Sequence, residues 1–143
     1  MRRTNALGLA LALVALPSLV ACRGGEAEVA KVEPVTKEEV ADTGLYRLTL
    51  TDRAVERLDV QTAEITRGTN SALTMPYSAL IYDLNGDTWA YTSPEPSVYV
   101  RQAVTVASIE GNTVNLTQGP AAGTEVVSVA AAELYGAETG IGK

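Results

Sequence analysis

Asp83, Asn85 and Asp87 stand at the first, third and fifth places of a calcium-loop pattern within YDLNGDTWAY, residues 82–91. A loop of the EF-hand kind also needs glycine at its sixth place and a bidentate glutamate at its twelfth. Counted from Asp83, those places hold Thr88 and Pro94, and both flanks read as strands rather than helices. The same letters carry Asn85-Gly86 between two apolar runs, a short-range hairpin signal. The stretch therefore reads as a turn: ALIYDL pairs with DTWAYT, and Asn85-Gly86 supplies the positive φ of a type I′ turn. Asp83 and Asp87 then serve as edge charges against pairing with another chain. No metal site is expected.

Other chemistry is thinly represented. The chain has no histidine and a single cysteine, Cys22. Ser-His and Cys-His catalysis and ordinary zinc sites are thereby excluded. Glu38 and Glu39 are adjacent carboxylates in a charged stretch where nothing fixes their geometry. GPAAG, residues 119–123, lacks the Lys-Ser/Thr that completes a phosphate loop. No catalytic residue and no cofactor site is assigned. Trp89, Tyr91 and Tyr99 are the candidate partner contacts, as an exposed aromatic platform; the competing reading leaves them half-buried on a sheet.

The start of the chain is an export signal. Arg2 and Arg3 precede an almost wholly apolar run from Ala6 to Val20, which is followed by small residues at Cys22. That order is a secretory leader. The run falls short of the roughly 20 residues a spanning helix needs, and Pro17 interrupts it. LVAC, residues 19–22, resembles the lipobox of bacterial lipoproteins, with Leu19 and Ala21 in the diagnostic places before the cysteine. The resemblance implies acylation of Cys22 and cleavage before it, leaving the protein anchored by lipid on the extracytoplasmic side of the cell membrane. Each buried methylene contributes about 0.8 kcal/mol, so several chains anchor stably. Removal of Arg2 and Arg3 takes the formal charge from −6 to −8. An acidic chain is a poor ligand for phosphate backbones, so no nucleic-acid partner is expected.

Four segments follow: a leader over 1–21, a lipid-anchored flexible tether over 22–44, a folded β domain over 45–136 and a flexible tail over 137–143. The tether is rich in Glu, Lys and Gly, with Pro34 in its middle. From Leu45 the pattern changes. LYRLTL alternates as a strand. TDRAVERLDV reads as one short α-helix near residues 52–58, capped by Thr51 or Asp52, with Ala54, Val55 and Leu58 on one face. The remainder is β, with Pro76 breaking a strand and a second hairpin turning at Glu110-Gly111-Asn112. In SVYVRQAVTVA, Val98, Val100, Val104 and Val106 face one way and Tyr99, Arg101, Ala103 and Thr105 the other. AAAELYG predicts a helical turn beginning at Ala131 that dissolves into glycine. The fold class is all-β, a mainly antiparallel small barrel or sandwich.

MPYSALIYDLNGDTWAY, then VYVRQAVTVASIEGNTVNLTQGPAAGTEVVSVAAAEL, resembles the membrane-proximal domain of periplasmic adaptor subunits, the membrane fusion proteins of efflux transporters. The family's Val-Pro-x-x-Ala-Leu strand end falls on Met75–Leu80. Its aromatic-Val-Tyr strand falls on Trp89–Tyr91, its Arg-x-x-Val-x-Val strand on Arg101, Val104 and Val106, and its Gly-rich Val-Val segment on Gly119–Val127. YRLTLTDRAVERLDVQTAEITRG resembles the opening of the same domain, with Asp59 in place of a glycine. In full adaptors the two halves are separated by a second barrel, a lipoyl-like domain and a helical hairpin; here ITRGTNSALTMP joins them directly. The resemblance implies a non-enzymatic accessory module that docks on an integral membrane transporter, with both halves in one barrel. A lipoprotein that binds a small ligand or cation is the alternative.

Overall fold

The computed structural model describes residues 32–68 and 72–140. The leader, Cys22 and residues 23–31 of the expected tether lie outside the described residues. The fold is predominantly antiparallel β, arranged in two sheets that do not close into a barrel.

The first surprise comes before Leu45. Residues Val35–Val40 form strand β1, paired along its whole length with β2, Leu45–Leu50. The expected tether therefore ends about ten residues early. VTKEEV carries no strand signal because β1 is an edge strand whose middle four side chains are exposed, so it shows no apolar alternation. Its stability comes from its backbone ladder and its cross-strand neighbours, including Glu38 opposite Arg47. Asp42 and Gly44 turn the chain between the two strands with φ of 54° and 67°.

Helix α1, Asp52–Leu58, lies where the sequence places it. The Thr51 hydroxyl accepts from the Ala54 amide at 3.2 Å. Asp59 closes the helix in the left-handed region, at φ 49° and ψ 47°, the conformation its place in the pattern requires. Strands β3, Gln61–Glu64, and β4, Thr66–Arg67, lead to β5, Leu73–Pro76, which stops at its proline. A 3-10 turn over Tyr77–Ala79 and the two-residue β6, Ile81–Tyr82, follow. Then come β7, Thr88–Glu95, β8, Val98–Ala103, β9, Thr105–Glu110, β10, Thr113–Gln118, and β11, Glu125–Val129.

The larger sheet runs β1-β2-β8-β7-β11-β3, with β6 also on β7; the smaller runs β4-β5-β10-β9. Strands from before and after residues 69–71 thus share both sheets, though not the single barrel that was expected. β2 and β11 share the larger sheet but are not neighbours, since β8 and β7 stand between them.

The larger sheet is covered on both faces. Tyr91 and Val127 join a core with Leu48, Leu50, Tyr99 and residues of the helices. Their chain neighbours Ala90 and Val126 point oppositely, into a core with Ile65, Met75, Val114 and Leu116 of the smaller sheet's region. β7 and β11 are therefore apolar on both sides, which explains the unbroken Val-Val run at 126–127.

The second departure is at the C-terminus. Ala131–Thr139 form α2, a nine-residue helix continuing through Gly136, not a single turn followed by a free tail. Ala130 enters it in the left-handed region at φ 72° without a side-chain cap. Local propensity is weak, so packing holds the helix: Ala131, Leu134 and Glu138 are buried.

Candidate functional site

Glu138 organises the most concentrated charged cluster among the described residues. It sits in the last turn of α2 and is 4% exposed. The Tyr91 hydroxyl donates to its Oε2 in a short hydrogen bond. Arg101 Nε donates to its Oε1 at 3.2 Å. Lys37 Nζ, from β1, donates to its backbone carbonyl at 3.1 Å. That carbonyl lies at a helix end, where a cation is favoured. The Arg101 guanidinium lies 4.4 Å from the centre of the Trp89 ring and 5.7 Å from that of Tyr135. Lys37 also lies 5.5 Å from the ring centre of Tyr46.

The strands set this arrangement. β7 and β8 pair Trp89 with Ala103 and Tyr91 with Arg101, so all four point to the face that α2 covers. Burial, followed by the neighbouring Glu138 carboxylate, pushes the Tyr91 phenol far above its ordinary range. It remains a neutral donor. The cluster has the chemistry of a clasp: a charge-assisted pair that fastens α2 and β1 onto the sheet.

Trp89 extends the network outward. Its indole Nε1 donates to Asp83 Oδ2 at 3.0 Å. Asp83 Oδ1 accepts from the Asn85 and Asp87 amides at 2.8 and 2.9 Å. The Asp83 amide donates to the Asp87 carbonyl, and the Gly86 amide to the Asp83 carbonyl. The hairpin of residues 82–91 is confirmed, but its turn differs from a type I′ turn. Only Gly86 has positive φ, 90°; the loop is a three-residue form with glycine at the bulge position. Asp83 is thus the acceptor that ties the loop together, not a free edge charge. Both its oxygens are taken by N–H donors.

Loss of hydration pulls the Asp83 carboxyl upward, but the Asn85 amide, the Trp89 indole, the Asp87 amide and Arg101 outweigh it and hold it below the usual carboxylate range. A group lowered on folding contributes above its free value, and the contribution is lost as pH falls through the folded value. Trp89, the only tryptophan, should therefore report loop loosening only at a pH below that at which a free aspartate titrates. A fluorescence transition at or above the ordinary aspartate range would contradict these bonds. In the same loop, Gly86→Val should cost about 1 kcal/mol or more in urea unfolding, through its φ alone. A Cβ there meets nothing within 4 Å.

The aromatic platform does not stand as expected. Tyr91 is fully buried and Tyr99 is 4% exposed. Trp89 is half-buried, with Arg101 over its ring. The structure brings Trp89 and Tyr91 to one cluster, but as parts of the clasp. Cys22, the other candidate site residue, lies outside the described residues. The large apolar side chains that do reach solvent include Tyr77, Tyr82, Leu84 and Ile109. Leu84, at the hairpin tip, is 86% exposed. Arg101 and Glu138 were the residues sequence reasoning passed over. An arginine two places after Tyr99 on an alternating strand, with a glutamate near the C-terminus, was the signal available.

An open groove of about 500 Å³ lies over the smaller sheet, lined by residues that include Arg67, Leu73, Leu116 and Thr117. No group of three or more metal-ligating side chains occurs among the described residues, and no helix there is long and apolar enough to cross a membrane. No family model, curated protein or solved structure matches the chain.

Proposed function

We propose that this chain is a lipid-anchored, extracytoplasmic docking module of a membrane transport system, without enzymatic activity. Two sequence features support the reading: the lipobox at Cys22 and the resemblance of residues 45–136 to the membrane-proximal domain of periplasmic adaptors. The observation that carries it is that strands from both chain halves share the same two sheets. A domain built from two halves that elsewhere stand apart in sequence requires that arrangement. The contact passes from the buried Tyr91 and Tyr99 to the exposed Tyr82 and Leu84 at the hairpin tip. Anchoring raises the local concentration at the membrane, where a weak contact suffices.

Cys22→Ser is the first test. The variant should leave the membrane fraction for the soluble one on cell fractionation. Retention in the fraction that needs detergent would overturn the anchor. In cells, crosslinking through a photoreactive residue at Leu84 should recover an integral membrane transport protein, and Tyr82→Asp should abolish the product. If Leu84 recovers none and a small solute gives a saturable rise in melting temperature, the groove beside Arg67 becomes the functional surface and the chain a ligand-binding lipoprotein.

A further inference from the structure

Strand β9 ends the smaller sheet, with β10 on one side and no strand among the described residues on the other. Edges of this kind are usually blunted by charge, proline or brevity. β1 carries Lys37, Glu38 and Glu39; β3 ends in Glu64; β4 has two residues and includes Arg67. β9, TVASIE, has one charge, Glu110 at its end. That carboxylate is drawn back onto its own sheet by Asn115 Nδ2 at 3.1 Å and the Ser108 hydroxyl at 3.2 Å.

The registers supply the rest. Val106 lies opposite Leu116, and Ile109 opposite Val114. Leu116 and Val114 are buried, so Val106 and Ile109 both lie on the core face. Ala107 is the extra residue that brings them to the same side. Val106 packs against the core, but Ile109 hangs beyond it, 44% exposed. An apolar side chain on the core face of an unpaired edge is completed by another strand.

We propose that β9 pairs antiparallel with β9 of a second copy, with the two-fold axis between Ala107 and Ser108. In that register Val106 faces Ile109 of the second copy on the core face. Thr105 faces Glu110, so no like charges meet. The face is self-complementary, as a two-fold interface must be. Six residues on each side make a small contact, well below a standard interface. The pairing is therefore weak in solution and forms where copies are crowded on a membrane. It uses the anchor for concentration, and it is independent of any transporter.

The test uses the full-length chain in membranes of producing cells. Ala107→Cys places a thiol beside the axis and should give a disulfide-linked dimer on mild oxidation. Thr62→Cys, on the exposed β3 edge, should not. Equal yields from the two would overturn the pairing. A dimer in the parent chain would mean that Cys22 is a free thiol; the crowding that the pairing needs would then be missing, and the proposal would be overturned. Added to Ala107→Cys, Thr105→Lys should raise the yield several-fold by setting a cation opposite Glu110, and Thr105→Glu should lower it. Both exposed-site changes leave the core intact. Identical yields from the two variants would overturn the register.

Discussion

Glu138→Ala is expected to remove about 3–5 kcal/mol of folding stability, the usual consequence of stranding one member of a buried ion pair. The side chains of Arg101 and Glu138 are only 12% and 2% exposed. Without the carboxylate, the guanidinium keeps its aromatic neighbours but loses its counter-charge. The Tyr91 hydroxyl, in a fully buried side chain, loses its acceptor as well. Tyr91→Phe should cost less, about 1–3 kcal/mol, because Arg101 still pairs with Glu138. Urea unfolding followed by Trp89 fluorescence measures both. A Glu138→Ala loss below about 1 kcal/mol, the range of exposed pairs, would mean that Arg101 swings out to water, and the clasp would not be a closure.

The second large effect concerns chain boundaries. Residues 32–140 should unfold in one cooperative transition, whereas residues 45–136, the limits suggested by pattern alone, should be at most marginally folded. The shorter piece lacks β1, which pairs with β2 through all six residues. It also lacks Glu138, and so leaves Arg101 and Tyr91 without their acceptor. Residues 72–140 alone should not fold, because β2 and α1 supply Leu48, Leu50 and Ala54 to the shared core. Circular dichroism and the sharpness of urea transitions distinguish the three. Equal midpoints for 32–140 and 45–136 would show that neither terminal element contributes.

These two results bear on what the sequence discloses. Alternation marked β2 and the run that divides into β8 and β9, turn signals marked β7 and β10, a valine-rich run marked β11, and the Thr51 and Asp59 signals bounded α1 closely, because those features are local. β1 was illegible for a physical reason: an edge strand with four solvent-facing side chains needs no apolar period. α2 was illegible because its apolar residues form no regular stripe, and a glycine stands inside it. Missing α2 had a second consequence. With no cover foreseen, Tyr99 stood among the candidate surface contacts. In fact Tyr99 is more buried than Val100. The expected aromatic platform was an uncovered view of the clasp. Asp83 shows the same limit on a smaller scale: Thr88 and Pro94 already set the calcium loop aside, but that Asp83 ties the hairpin together shows only in its hydrogen bonds.

β1 also sets a compass for the domain. Val35 is paired with Leu50, and the Leu50 amide donates to the Ser97 carbonyl, so these three mark one end of the larger sheet. Trp89 paired with Ala103 marks the other, with the hairpin tip at Leu84 beyond it. Twelve residues separate Val35 from Cys22, and whatever their conformation the span is at most about 45 Å. The acyl group proposed on Cys22 would leash the domain by the end that carries the start of α1. The hairpin tip at Leu84 lies beyond the opposite end of that sheet from Val35.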